Sequence, residues 1–245
     1  MFFCILLFFS AAFAFAQAPT DTLYSKKFPR LENASIMFPV ASAPDMPVGV
    51  WRIPGNKTSS GTVVWFHGGM TSNNCKKGLI AGSDLSKMLP TYTIVSASAC
   101  KQNHWMEPST IESLDEALDN LAKKIKKDIP EISLVGISDG SLGVIAYSLW
   151  GKRNVKNRIL MSSFGEALGP AAQIAQQPTL QKGRWRFIQG GKDRLYPADR
   201  TFPWIQEFCQ NVGTPCDVKF DQQGEHDWSY WQKQHKEWIL EFFSK

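Results

Sequence analysis

The sequence predicts an α/β protein with a mostly parallel central sheet that helices flank on both faces. Short apolar segments of strand length alternate along the chain with segments whose apolar residues recur at helical spacing. This alternation is typical of parallel sheets, because parallel strands are joined by long crossover connections that are usually helical. The chain has 245 residues, of which 43% are hydrophobic, so one large domain with a sizeable core can form.

The chain starts with an apolar run from Phe2 to Ala16 that Ser10 alone interrupts. The run is shorter than the roughly 20 residues that a bilayer span requires, and it ends in an A-x-A pattern before Gln17. We interpret it as a signal peptide that is cleaved after Ala16, which predicts a secreted or periplasmic protein without stable membrane insertion. A retained anchor is the alternative, because the run lacks the usual basic start. The expected organisation is a signal peptide, an N-terminal extension and a single domain, at residues 1–16, 17–34 and 35–245.

The charge pattern gives no indication of nucleic-acid binding. Lys and Arg number 27 against 22 Asp and Glu, and the net charge of +5 is spread along the chain. The densest basic run, at residues 123–127, falls at the end of a predicted helix, where positive charge is favourable. The histidines are isolated and lack metal-ligand spacing. The sequence therefore predicts no metal and no cofactor, and it indicates no oligomeric state.

The first half of the domain contains four predicted strands and one helix. Residues 35–54 resemble two edge strands with Pro-rich turns, and continuous apolar strands follow at 62–67 and 92–97. A helix is expected at 109–128, where Ser109 and Glu112 form a capping box and Pro130 ends the segment. Its apolar residues have helical spacing, namely Ile111, Leu114, Leu118, Leu121 and Ile125.

The second half continues the alternation. Strands are predicted at 132–137, 156–162, 185–189 and 216–220, and helices at 139 to about 150, about 199–211 and 229–243. In parallel sheets of this kind, ligands bind beyond the carboxyl ends of the strands. The segments that follow the strands are therefore expected to converge on one site.

A G-x-S-x-G pattern follows the strand 132–137, with Ser138 between Gly136 and Gly140. Between a strand and a helix, the glycines allow a sharp turn with the serine at its apex. The Asp139 N–H would start the helix, where an anion is stabilised. This context predicts a nucleophile. A strand-to-helix turn in which Ser138 only caps the helix is the alternative, because it would show the same sequence pattern.

A serine nucleophile needs a base, and the base needs a carboxylate that orients it. Asp193 follows a Gly-Gly turn after the strand 185–189, and His226 lies in the loop after the strand 216–220. The order Ser138, Asp193, His226 is the one expected on such a sheet. Other candidates are less well placed, namely Asp199, Asp217 and Asp221 for the acid and His67, His104 and His235 for the base.

The segment "FHGGM" follows the strand 62–67. Acyl transfer passes through a tetrahedral oxyanion that needs preorganised N–H donors. Asp139 is expected to supply one donor, and Gly69 or Met70 the other. A plain strand-ending glycine turn is the alternative.

Together these motifs resemble the α/β-hydrolase superfamily over residues 35 to 245. The resemblance implies that Ser138 is the nucleophile, His226 the general base and acid, and Asp193 the orienting acid. It further implies a small secreted esterase or lipase-like enzyme that acts on carboxylic esters through an acyl-enzyme. A peptidase, an acyltransferase or a non-catalytic binding protein of the same fold are the alternatives.

Loss of Cys4 with the signal peptide would leave four cysteines, and an even number in an exported chain suggests disulfides. Three pairings are possible. The sheet order that the resemblance implies places the strand 92–97 beside the strand 62–67. That order favours the pairs Cys75–Cys100 and Cys209–Cys216, with buried free thiols as the alternative.

The segment between the strands 156–162 and 185–189, where many relatives insert a lid, has only about twenty residues here. At most a small cap is therefore expected, with an open site suited to small or polymer-linked esters such as decorated polysaccharides or lipids. His104, Trp105, Met106 and Trp228 are expected near the strand ends, where they would contact substrate. Packing in the core is the alternative for them.

Overall fold

The computed structural model describes residues 21–22, 36–37, 46–52, 59–69 and 72–244. The signal peptide, nearly all of the N-terminal extension and Met70 lie outside these described residues, so the leader and its cleavage stay predictions.

One sheet organises the described part of the chain. The strand order is β1-β3-β5-β4-β6-β7-β8-β9, and β2 pairs with β3. The path from β5 to β9 is parallel throughout, whereas β3 is antiparallel to β5 and to the two short strands at its edge. The predicted fold class is confirmed. The strands are β1 Asp21–Thr22, β2 Ile36–Met37, β3 Pro47–Trp51, β4 Thr62–Phe66, β5 Thr93–Ala97, β6 Glu131–Ile137, β7 Asn154–Met161, β8 Arg184–Gly190 and β9 Cys216–Asp221.

Helices cover both faces of the sheet. They are α1 Lys77–Met88, α2 Pro108–Ile125, α3 Asp139–Trp150, α4 Ala171–Ala175, α5 Ala198–Asn211, α6 Trp228–Gln234 and α7 Lys236–Phe243, with a 3₁₀ turn at Gly165–Leu168. The capping box predicted at Ser109 is wrong, because α2 starts one residue earlier. Glu107 is its N-cap, without a side-chain cap bond, and Pro108 at the first helical position has a φ already suited to the helix.

Alternation along the strands divides the core into two layers. Val64 and Phe66 of β4 face the layer that α2, α3 and α5 cover, whereas Val63 and Trp65 face the layer under α1, α6 and α7. Both faces of the central strands are thus buried, which is why these strands consist of continuous apolar runs.

The segment between β7 and β8 contains only the 3₁₀ turn and α4, and both pack against α5. The indole of Trp204 in α5 fixes this segment by donating to the carbonyl oxygen of Gly169 at 2.9 Å. The segment therefore forms no separate cap domain. Among the described helices, none has both the length and the apolar character that a bilayer crossing requires.

Two disulfides link segments at opposite ends of the sheet. The structure pairs Cys75 with Cys100 and Cys209 with Cys216, as the sequence led us to expect, with Cα atoms 5.2 and 5.3 Å apart. Cys100 also forms a parallel bridge with Ser72, which joins the segment before α1 to the segment after β5. The Cys75–Cys100 bridge thus braces the region that follows Gly68 and Gly69, the two glycines after β4.

Candidate active site

Ser138 occupies the sharp turn between β6 and α3. Its backbone has φ 56° and ψ −127°, a conformation that residues other than glycine rarely adopt. Two close approaches surround it: a Cβ on Gly140 would lie 2.0 Å from the carbonyl oxygen of Phe66, and one on Gly136 would lie 2.3 Å from that of Gly140. Because neither glycine position can hold a side chain, β6, α3 and β4 meet closely and Ser138 is presented at the apex.

Asp193 and His226 form a hydrogen-bonded pair beyond the ends of β8 and β9. The His226 Nδ1 atom lies 2.9 Å from Asp193 Oδ1 and 2.8 Å from Oδ2. A carboxylate only accepts hydrogen bonds, so Nδ1 carries the proton and Nε2 keeps a lone pair that can take one up.

Asp193 is held rigidly in an almost fully buried position, with 3% of its surface exposed. The backbone N–H groups of Leu195 and Tyr196 donate to its Oδ1 at 3.0 and 2.8 Å. Burial acts to raise the pKa of Asp193, but the hydrogen bonds from His226 and from the Tyr196 N–H outweigh it and leave the pKa below its ordinary value. The carboxylate is therefore ionised and fixed where it orients the imidazole.

Ser138 and His226 both line one cavity of about 510 Å³ at the carboxyl edge of the sheet. Its wall includes Gly69 and Asp139, the residues expected to surround an oxyanion. Leu195, with 70% of its surface exposed, also lines it. The structure thus brings the predicted nucleophile, base and acid together at one place.

The glycines after β4 lie directly against the nucleophile. A Cβ on Gly68 would be 2.9 Å from the Ser138 Cβ, and Gly69 has φ 63°, in the left-handed region that favours glycine. Lys77 donates to the Gly69 carbonyl oxygen at 3.2 Å and so ties the turn to α1. Met70 lies outside the described residues, so the choice between Gly69 and Met70 as oxyanion donor stays a prediction. Asp139 is the first residue of α3, where backbone N–H groups have no helical partner.

His67 also lines the cavity, but its environment does not suit a general base. It is 2% exposed, its Nδ1 donates to the Gly68 carbonyl oxygen at 2.8 Å, and no carboxylate of the described residues forms a hydrogen bond with it. Burial is the main cause that lowers the pKa of His67 to about 4. The ring is therefore neutral at pH 7.

The residues expected to contact substrate fall in two groups. Trp228 lines the cavity and packs on Trp65, with ring centroids 4.6 Å apart. Trp105 is fully buried, because it packs under the glycine turn against Phe66, and it does not line the cavity. His104 does not line it either, and its Nδ1 accepts from the Met106 N–H at 3.2 Å.

Several cavity residues had no signal in the sequence. Trp65 appears as one more apolar residue of a buried strand, and Lys77 belongs to a helix without clear amphipathic spacing. Tyr196 was the most accessible to sequence reasoning, since it lies three residues after Asp193 in the same loop.

No protein-family model and no curated protein sequence matches the chain. Solved structures do match. An α/β serine hydrolase without lid from Xanthomonas campestris is 14% identical with a TM-score of 0.61, over 89% of this chain and 97% of that one. A truncated carbohydrate esterase from gut microbiota is 16% identical with a TM-score of 0.56, over 94% of this chain and 100% of that one.

An acylaminoacyl peptidase from Pyrococcus horikoshii is similar at 14% identity and a TM-score of 0.62, over 89% of this chain. The present chain spans only 42% of that peptidase. It also spans only 59% of a thermostable esterase, another solved structure that it resembles. At such identities the likeness establishes the fold, which is that of the α/β serine hydrolases.

Proposed function

We propose that this chain, which has the α/β-hydrolase fold, is a serine hydrolase that cleaves carboxylic esters through an acyl-enzyme. One observation carries the proposal: the Asp193 carboxylate holds His226 by Nδ1 in the cavity where Ser138 stands at the apex of a strained turn. A nucleophile, a base and an orienting acid from three separate loops serve one reaction type, acyl transfer.

In this mechanism, His226 Nε2 takes the Ser138 hydroxyl proton while the Ser138 oxygen attacks the ester carbonyl carbon. The Asp139 N–H and a second N–H from the glycine turn stabilise the tetrahedral oxyanion. The C–O bond to the alcohol then breaks, and the alcohol leaves with the proton from His226. Water attacks the acyl-enzyme by the same route, which releases the acid and restores Ser138.

The size and setting of the cavity support an ester whose acyl part enters the pocket while its alcohol part remains outside. About 510 Å³ is within the range for small-molecule sites, and no cap domain stands between β7 and β8 to enclose a larger substrate. We therefore favour polymer-linked esters, such as acylated polysaccharides. The likeness to a carbohydrate esterase supports this choice.

A peptidase is the second candidate, because an acylaminoacyl peptidase is among the similar structures. This chain spans 42% of that protein, whereas it spans 100% of the truncated carbohydrate esterase. We rank amide hydrolysis second for that reason, and acyl transfer to an alcohol uses the same residues.

Export is part of the proposal. Two disulfides within a described domain fit an oxidising compartment, where such bonds persist. The apolar leader that would direct export lies outside the described residues.

Labelling with a fluorophosphonate tests the nucleophile. We expect the purified protein to be labelled, Ser138→Ala to lose the label, and Ser86→Ala to keep it, because Ser86 is a serine of α1 that bonds the Ser83 carbonyl away from the cavity. A wild-type protein that takes no label would overturn the proposal. A panel of p-nitrophenyl esters, matching amides and acetylated sugars then separates esterase from peptidase.

A further inference from the structure

Tyr196 links the loop after β8 that contains Asp193, called the acid loop below, to the turn between β6 and α3 that contains Ser138. Its backbone N–H donates to Asp193 Oδ1 at 2.8 Å, and its phenol donates to Asp139 Oδ1 at 3.0 Å. Asp139 directly follows Ser138, so one side chain connects the orienting acid to the residue beside the nucleophile. The sequence motifs assign no role to either the phenol or the Asp139 carboxylate.

The Tyr196 ring is fixed on two sides. It meets the His226 ring edge to face, with centroids 4.8 Å apart and planes at 85°, and it stacks on Phe164 at 5.2 Å and 22°. Gln189 Nε2 holds its carbonyl oxygen at 2.8 Å. The phenol therefore has little freedom, and its bond to Asp139 is preorganised.

The negative charge of the Asp139 carboxylate is unfavourable for the proposed reaction. It belongs to the residue whose N–H is expected to stabilise the oxyanion, so a free negative charge there would oppose the charge that develops in the transition state. The same charge would also favour protonated His226, the form that cannot act as a base. Within the described part of the chain, no lysine or arginine forms an ion pair with Asp139, and the side chain that donates to its carboxylate is the Tyr196 phenol.

We propose that Tyr196 is a positioning residue: its phenol holds the Asp139 carboxylate in one orientation and disperses its charge, so that the Asp139 N–H faces the reacting oxygen. This inference rests on the proposed function. Burial raises the pKa of Tyr196 above its ordinary value, and the nearby carboxylates of Asp139 and Asp193 act in the same direction, whereas a hydrogen bond with the Ser138 side chain acts to lower it. The phenol therefore stays protonated at neutral pH and can donate to Asp139.

Several other charges surround His226, and the test must hold them constant. They line the cavities that His226 also lines, and they come from the acid loop, the His226 loop and α1, namely Lys192, Asp193, Arg194, Glu225, Asp227 and Lys77, with the titratable His67 from the segment after β4. Substitutions confined to Tyr196 and Asp139 leave all of them in place.

The experiment is a double-mutant cycle on a p-nitrophenyl ester, with Tyr196→Phe, Asp139→Asn and the two combined. We expect Tyr196→Phe to lower kcat about tenfold with little change in KM, a size typical of coupled hydrogen-bonded neighbours. It should also move the acid limb of the kcat/KM profile to higher pH, since the released carboxylate favours protonated His226. In the Asp139→Asn background the same change should cost less than about threefold.

Tyr230→Phe is the matched control, because the Tyr230 phenol bonds a different carboxylate, that of Asp221, at 2.5 Å outside the cavity. Its kcat and pH profile should match those of the wild type. Equal losses from Tyr196→Phe with and without the Asp139 carboxylate would mean that Tyr196 acts through packing or through its contact with Ser138 rather than through Asp139, and would overturn the inference.

Asp139→Asn gives an independent test if Tyr196→Phe does not fold. Removal of the charge should move the acid limb to lower pH, and an unmoved limb contradicts the inference. Fluorophosphonate labelling of each variant distinguishes the two proposals: a labelled wild-type enzyme without coupling refutes this one, whereas an unlabelled wild-type protein refutes the proposed function.

Discussion

The indole nitrogen of Trp105 donates a hydrogen bond of 3.0 Å to the carbonyl oxygen of His67. Trp105 is fully buried in the layer under α2 and α3, and His67 is the last residue before the glycines that lie against Ser138. The glycine turn is therefore supported from within the core.

Trp105→Phe should weaken this support while keeping most of the packing. The His67 carbonyl would lose a buried donor, and we expect a loss of about 1–3 kcal/mol in the free energy of unfolding. Urea unfolding at pH 7 measures it. Trp150→Phe is the control, since Trp150 is 46% exposed at the end of α3 and its substitution should change stability by less than about 0.5 kcal/mol.

Asp193→Asn should lower kcat by about 10³ to 10⁴-fold, because the amide no longer holds the proton of His226 on Nδ1. KM for a small ester should change little. The control is Asp199→Asn, which changes an exposed carboxylate in the first turn of α5 that the sequence alone offered as a rival acid. A comparable loss in both variants would contradict the assignment of Asp193.

The neutral state of His67 predicts acid instability in a defined window. Its pKa is about 4 in the folded protein against 6.5 for a free side chain, so the unfolded chain binds the proton more tightly. Its contribution to stability is complete above pH 6.5 and is lost as the pH falls to about 4, by up to about 3 kcal/mol at about 1.4 kcal/mol per pKa unit.

His67→Gln removes this titration. Denaturant unfolding at pH 7 and at pH 4.5 should show a smaller loss of stability in the variant than in the wild type. Equal losses in both proteins would show that His67 is not protonated on unfolding. The lowered pKa of Asp193 acts below about 3.8, so its contribution lies mostly outside this window.

The two disulfides should differ in their effects. Cys75–Cys100 has a sequence separation of 25 and Cys209–Cys216 one of 7, so chain entropy predicts losses in the free energy of unfolding of about 3.5 and about 2.4 kcal/mol for the double serine variants.

The double variant Cys75→Ser with Cys100→Ser should also lower kcat several-fold, because that bridge braces the region after β4. Cys209→Ser with Cys216→Ser should not, since Cys216 starts β9 at the end opposite to His226. Thermal unfolding and ester kinetics of both variants check this order.

The central sheet was predictable because its strands are buried on both faces and appear in the sequence as continuous apolar runs. Helix α1 gave no such signal. It contains Gly78 and Gly82, whose Cβ atoms would lie 2.1 Å from the Ala97 carbonyl oxygen and 2.5 Å from the Trp51 ring, so close packing on β5 and β3 requires glycine at these two positions. The helix predicted at 229–243 is in fact two, separated at His235, which bonds Asp221 at 2.8 Å and stacks on Trp238 at 3.8 Å.

The site residues also differ in whether the sequence alone could predict their positions. Ser138, Asp193 and His226 each follow a strand, so position along the chain was sufficient to place them at one edge. Trp105 also follows a strand, but it packs into the layer under α2 and α3, and the side chain's direction was not readable from its position. The bond between Tyr196 and Asp139 joins residues 57 positions apart, and only the assembled sheet brings them together.

In the proposed mechanism, the position of His226 after β9 has a consequence for the order in which the site is completed. A ribosome or a translocation channel delivers the chain from its amino end, so Ser138 and its glycine turn emerge long before β9 and the loop that follows it. Until then Ser138 lacks the base that the proposed mechanism assigns to it. The proposed hydrolysis is therefore expected to begin only when the segment after β9 has docked.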